Sequence, residues 1–236
     1  MTSPRITPRR RRRQAFSIIE LLSVMAIIVT LSAVTVPVFN SIKGGGNVNK
    51  AVADLSSTLE LARTYAMANR THVRVLFGHV PGENGRLAAT IALPVCSADG
   101  SPGPATDMAD GAKWPALSKP LVLDDLKIFD SLQANLPHDT SADVTPMGAN
   151  VQGGFMSPVS RSVPGRGEVS FTGVVQFGPG GEARVGFDEP SRHIKIAMDQ
   201  PLPTGGAESM KKNPFILRLS GVNGAISVLR AEDVAP

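Results

Sequence analysis

"RRRRRQAFSIIELLSVMAIIVTLSAVTVPVF" occupies positions 9–39. Five arginines stand against an apolar run whose one ionisable side chain is Glu20. A helix from Phe16 to Phe39 would rise about 36 Å, enough to cross a hydrocarbon core of about 30 Å. An ordinary core helix keeps a polar face. This run offers only Ser17, Ser23, Thr30, Ser32 and Thr35, whose hydroxyls can bond back to the preceding turn. The arginines favour a cytoplasmic N-terminus, with the bulk of the chain on the other side. A cleavable secretory signal has a shorter apolar region followed by a small-residue cleavage site. A plain single-pass anchor fits the length and charge but leaves Glu20 unexplained. A lone carboxylate at mid-membrane costs about 2.5–3.5 kcal/mol. Glu20 sits one turn inside, where snorkelling lowers that cost, and it wants a positive partner.

The rest of the chain is ordinary in composition. Its 236 residues are 42% hydrophobic, enough for one packed domain beyond the N-terminal run. The net charge of +4 is misleading. Arg5 and Arg9 to Arg13 lie before Phe16, and without those six, 18 basic residues face 20 acidic ones. The basicity is a terminal tag, and no basic patch with interleaved aromatics argues for nucleic acid. Cys96 is the single cysteine, so no internal disulfide can form.

The N-terminal stretch resembles type IV pilins and type II secretion pseudopilins. That family has a basic leader, a small residue, Phe, Glu at the fifth mature position, and often Pro at the twenty-second. Here these fall in register as Ala15, Phe16, Glu20 and Pro37, with Ala15 where the family usually has Gly. The resemblance implies cleavage between Ala15 and Phe16 by a prepilin peptidase, which also N-methylates Phe16. It implies that Glu20 sets subunit register by pairing with the amine of a neighbouring subunit. Two buried charges with partners cost far less than one without. The implied partners are the peptidase and methyltransferase, other pilin or pseudopilin subunits, an inner-membrane assembly platform and membrane lipid, with no nucleic acid. The implied location is the bacterial inner membrane, single-pass, with the head periplasmic or extracellular. "LELARTYAMANRTHVRVLF" (59–77) and "FGPGG" (177–181) resemble minor pseudopilins of the H type. "FILRLSGVNGAISVLR" (215–230) is similar to the prepilin-like subgroup called Verru_Chthon cassette protein D.

Beyond the apolar run, Gly44, Gly45 and Gly46 interrupt helical propensity, each costing about 1 kcal/mol against Ala. With Pro37 they mark an expected kink or hinge. Val48, Val52, Leu55, Leu59, Ala62 and Ala66 then recur at helical spacing, with Asn47 and Asn69 near the two ends. Strands are expected over 72–77, 87–95, 121–129, 167–177, 193–198, 215–220 and 225–230, with Asn223-Gly224 as a tight hairpin and "GPGG" (178–181) as a turn. Stretches 97–119 and 137–166, rich in Pro, Gly, Ser and Asp, are expected to be long loops, functional or mobile.

The expected fold is α+β and pilin-like: a long N-terminal helix, half membrane-spanning and half amphipathic, packed on an antiparallel β-sheet head. The expected organisation is a leader (1–15), a transmembrane and polymerisation helix (16–43), a glycine hinge and amphipathic helix (44–70) and a β-rich head (71–236). No enzyme chemistry is expected. His72, His79, His138 and His193 form no close pair, and there is no HExxH, CxxC or GxSxG. Asp99, Asp107 and Asp110 share one loop at a spacing that fits no calcium loop, so a solvated acidic loop is the default. No cofactor and no metal are implied. The expected function is a minor-pseudopilin-like filament subunit. The alternative is a single-pass anchored β-rich binding domain that does not polymerise.

Overall fold

The computed structural model describes residues 17–81, 87–103, 105–124, 126–129, 144–146, 159–186, 191–199 and 215–230. In helix residues 33–47 the description covers the backbone only. The chain divides into two compact units, Met1–Gly44 and Gly45–Pro236. Helix α1 is assigned over Ile18–Asn69, running through Pro37 and Gly44 to Gly46, and the division between units falls within the glycine triplet.

The second unit is built from two sheets. Its strands are β1 (Val73–Pro81), β2 (Leu87–Cys96), β3 (Leu121–Asp124), β4 (Lys127–Phe129), β5 (Val144–Pro146), β6 (Val159–Val163), β7 (Gly167–Phe177), β8 (Ala183–Arg184), β9 (His193–Asp199), β10 (Phe215–Ser220) and β11 (Ile226–Arg230). Sheet A runs β3-β2-β1-β7-β6, with β8 paired to β7. Sheet B runs β11-β10-β9-β4, with β5 pairing β9 in parallel.

The expected α+β pilin-like fold is therefore corrected. The described chain is mostly antiparallel sheet, and no long N-terminal helix is laid on a sheet head. Among the described side chains of α1, the stripe from Val48 to Ala66 enters a core, and it meets two sheets rather than one. Leu55, Leu59, Ala62 and Ala66 are fully buried against Val73, Val75, Phe177 and Val175 of sheet A and Ile194, Ile196, Leu217 and Leu219 of sheet B. The helix ends at Asn69 in a Schellman-type closure. Thr71 N–H reaches the Ala66 carbonyl (3.1 Å), Arg70 N–H reaches that of Met67 (3.4 Å), and Arg70 takes the left-handed conformation usually given to Gly (φ 50°).

The expected strand 121–129 is also corrected, because it splits between sheets. β3 pairs with β2, and β4 pairs with β9. Leu126 at the corner is buried, and its carbonyl accepts from Thr90 Oγ1 at 2.6 Å. The stretch 137–166, expected as loop, supplies β5 and β6.

Sheet A curls. β3 and β6 lie at opposite ends of its path, yet Arg166 on the β6–β7 turn meets Asp124 of β3 at 3.4 Å. A bulge helps: β1 pairs Phe77 with Gly173 and Gly78 with Phe171, leaving Thr172 extra on β7. One extra residue exchanges the two faces. Val169 and Phe171 thus join Val174 in the outer core, while Val175 and Phe177 face the helix. At Gly78 a Cβ would lie 2.7 Å from the Ser170 carbonyl oxygen, so the close approach requires glycine.

Two substitutions on α1 separate core from surface. Leu59→Ala should cost about 2–5 kcal/mol through loss of contacts and a cavity. Leu61→Ala, with Leu61 47% exposed, should stay within about 0.5 kcal/mol. Denaturant unfolding of the full chain in detergent, followed by Trp fluorescence, checks both. Equal effects would contradict the assigned core stripe.

Candidate functional site

Two features stand apart from the framework: the exposed start of α1 and the pinned segment 97–119. The first belongs to the unit ending at Gly44. Ile18, Ile19, Leu21, Leu22, Val24, Met25, Ile27, Ile28, Val29 and Leu31 are all exposed, from 49% to 85%, on every side of the helix. Its hydroxyls turn inward. Ser23 Oγ donates to the Glu20 carbonyl (2.8 Å), and Thr30 Oγ1 lies within bonding distance of the Ala26 (3.1 Å) and Ile27 (2.9 Å) carbonyls. The outer surface is thereby left apolar, with Glu20 as the one ionisable side chain from Ile18 to Ser32. Among the described residues, the Glu20 carboxylate has no ion-pair partner.

Covering such a surface is worth on the order of 10 kcal/mol or more, at about 25 cal/mol per Å² of apolar area. Holding Glu20 in the same environment costs about 2.5–3.5 kcal/mol on insertion scales. The apolar term wins, and Glu20 influences where the helix settles more than whether it is covered. Among the described residues no helix is long and apolar enough to cross a membrane. The part described with side chains, Ile18 to Ser32, rises only ~22 Å. Ala15 and Phe16, the expected cleavage and methylation residues, lie outside the described residues. Pro37, Gly44, Gly45 and Gly46 are in helical backbone.

The second feature was read from the sequence only as a long polar loop. In the structure it is strapped along β2. Cys96 N–H donates to the Pro115 carbonyl (3.0 Å), Ala98 N–H to that of Lys113 (2.9 Å) and Leu117 N–H to that of Pro94 (2.9 Å). At its centre Trp114 is buried, with the Arg74 guanidinium 4.2 Å from its ring centroid. Arg74 Nε donates to Gln176 Oε1 (2.8 Å), and its Nη2 donates to the carbonyls of Pro102 and Gly103. Burial lowers the Arg74 pKa to about 10, with Asp107 opposing the shift. Arg161 of β6 donates from Nη2 to the Trp114 carbonyl (2.8 Å), tying the segment to the far edge of sheet A. Burial lowers the Arg161 pKa too, and Asp110 opposes it. A lone Trp in a Pro- and Gly-rich stretch and an Arg inside the apolar "HVRVLF" were the available signals.

The three loop carboxylates all act on the Lys113 ammonium, and each has its own hydrogen-bond partner. Asp99 Oδ1 accepts from Ser101 N–H (2.9 Å), Ser97 Oγ (2.8 Å) and Ser101 Oγ (2.9 Å). Asp107 pairs with Lys113 at 3.0 Å, and Asp110 Oδ1 accepts from Ala112 N–H at 2.8 Å. The bond to Asp107 raises the Lys113 pKa. Among the described residues no group of three metal-binding side chains occurs. His72 Nδ1 lies 2.9 Å from the Gly100 carbonyl and His79 Nδ1 3.1 Å from Thr90 Oγ1, so each is engaged locally. Cys96 Sγ contacts the Pro115 carbonyl at 3.7 Å. No family model, curated protein or solved structure matches this chain.

Two outcomes follow from this geometry. Arg74→Ala leaves two carbonyls and Gln176 without their donor, at about 1–3 kcal/mol each for groups that stay buried. The fluorescence of Trp114, the single Trp, should shift to the red; an unchanged spectrum would contradict the clamp. Asp99 behaves differently. Bonds from Ser101 N–H first, then the Ser97 and Ser101 hydroxyls, lower its pKa from 3.8 to about 2. Its contribution is therefore complete above 3.8 and is lost as pH falls through about 2. The Ser101 amide NMR shift should titrate near the lower value, whereas a midpoint near the ordinary value would deny those bonds.

Proposed function

We propose that this chain is a membrane-inserted, prepilin-like filament subunit and not an enzyme. Cleavage between Ala15 and Phe16 releases a new amine, which is N-methylated. The helix beginning at Phe16 then holds the subunit in the bacterial inner membrane and later packs among like helices in a pilus- or pseudopilus-type filament. The partners are the prepilin peptidase, other pilin-like subunits, the assembly platform and lipid. The observation that carries this reading is the stretch Ile18 to Ser32 of the helix, apolar on every side with Glu20 as its one ionisable side chain. A bilayer covers the apolar surface before assembly, and neighbouring helices cover it afterwards. The carboxylate then meets an amine instead of staying alone.

The second reading is a single-pass anchored β-rich domain that binds a partner and does not polymerise. The two-sheet head favours it, since that head departs from the architecture the N-terminal resemblance implied. Glu20→Gln distinguishes the readings. For a plain anchor the change is neutral or slightly favours insertion. For a filament subunit, insertion and processing stay normal, but breaking one side of a buried pair costs about 3–5 kcal/mol. Crosslinking to other pilin-like subunits in native membranes should then fall about tenfold or more, since 1.4 kcal/mol is a factor of ten. Unchanged crosslinking with normal membrane levels would favour the anchor.

A further inference from the structure

Sheets expose unpaired backbone at their edges, and folded proteins blunt those edges with charge, proline, short strands or covering chain. The described edges here show these devices, with one exception. β3 ends in Asp124, paired to Arg166. β6 is tied to the segment carrying Trp114 through Arg161. β4 and β5 have three residues each, and β5 ends in Pro146. β11, the outermost strand of sheet B, has none of these before its last residue. Ile226 to Leu229 carry no charge and no proline, and their register with β10 is regular.

The free side of β11 can be assigned from the ladder. Ser220 N–H donates to the Ala225 carbonyl at 2.8 Å, which makes 220 and 225 a hydrogen-bonded pair. Antiparallel pairs alternate. Ser227 and Leu229, opposite Arg218 and Ile216, therefore bond to β10, while Ile226 and Val228 direct their N–H and C=O groups outward. Among the described residues no strand pairs with that side. Val228 is 36% exposed.

We infer that the outer edge of β11 is an interaction surface that pairs with β11 of a second copy of the chain. The edge is self-complementary. An antiparallel pairing centred on Val228 sets its outward N–H and C=O against those of the partner copy's Val228 and brings Ile226 opposite Arg230. No two like charges meet across it. The join makes one sheet continuous through two copies, and it does not depend on the N-terminal helix or on the filament reading.

The test uses the full chain in detergent with Cys96→Ser as background. Under mild oxidation Val228→Cys should form disulfide-linked dimers several-fold faster than Val222→Cys. Val222 is the more exposed at 73%, but it lies on the β10–β11 turn and not on the edge. In a second arm, Val228→Pro removes an outward N–H while sparing the ladder to β10. It should lower the dimer fraction by light scattering with Trp114 fluorescence unchanged. Equal crosslinking of the two cysteine variants would overturn the inference, as would an unaltered dimer fraction in a folded proline variant. Crosslinking of Val228→Cys to a different protein in native membranes would overturn self-pairing in favour of a foreign strand.

Discussion

The packing of the α1 stripe between two sheets is the constraint on which the second unit rests. Leu55, Leu59, Ala62 and Ala66 are fully buried, and the side chains around them come from both sheets. A single sheet would have left β9 and β10 with an uncovered apolar face. The two alanines matter as much as the two leucines, because small side chains let strands approach the helix. The stripe ends where Arg70 takes a left-handed turn and the chain enters β1. Helix exit and sheet entry are thereby joined within four residues.

The outer face of sheet A poses a second packing problem, and the segment 97–119 solves it. β1 is buried on both faces, so its Arg74 lies on the side away from the helix, among Trp114, Gln176 and two loop carbonyls. A desolvated guanidinium is costly unless its donors are used. Here those donors hold a stretch of chain that has almost no regular structure of its own. The curl of the sheet brings Arg161 and Arg166 within reach from the opposite edge. The polar residues of this region therefore act as fasteners, and that accounts for its acidic side chains without a ligand.

Much of this was legible in the sequence, for identifiable reasons. The stripe at Val48 to Ala66 has strong helical periodicity, and the structure buries each of its six named residues. Strands β1, β2, β7, β9, β10 and β11 show β-branched runs bounded by turn residues, and Asn223-Gly224 does join β10 to β11. Failures came where the deciding contacts are distant. Nothing local in "LVLDDLKIF" says that its halves join different sheets. β5, β6 and β8 are too short or too polar to signal themselves. The role of Arg74 depends on Gln176, about a hundred positions later. The pilin-like architecture was inferred from a motif covering about a tenth of the chain, and the head need not follow its N-terminus.

The first unit poses the functional question. From Ile18 to Ser32 its helix is apolar on every side apart from Glu20, and such a surface requires a cover that the helix cannot provide for itself. Lipid and neighbouring helices both serve, and Glu20 distinguishes them only if a new amine exists nearby. The most direct measurement is the mass of the N-terminal peptide of the protein taken from its native membranes. The account predicts a chain that begins at Phe16 and carries one N-methyl group. A chain that still begins at Met1, or one cut elsewhere in the apolar run, would contradict it.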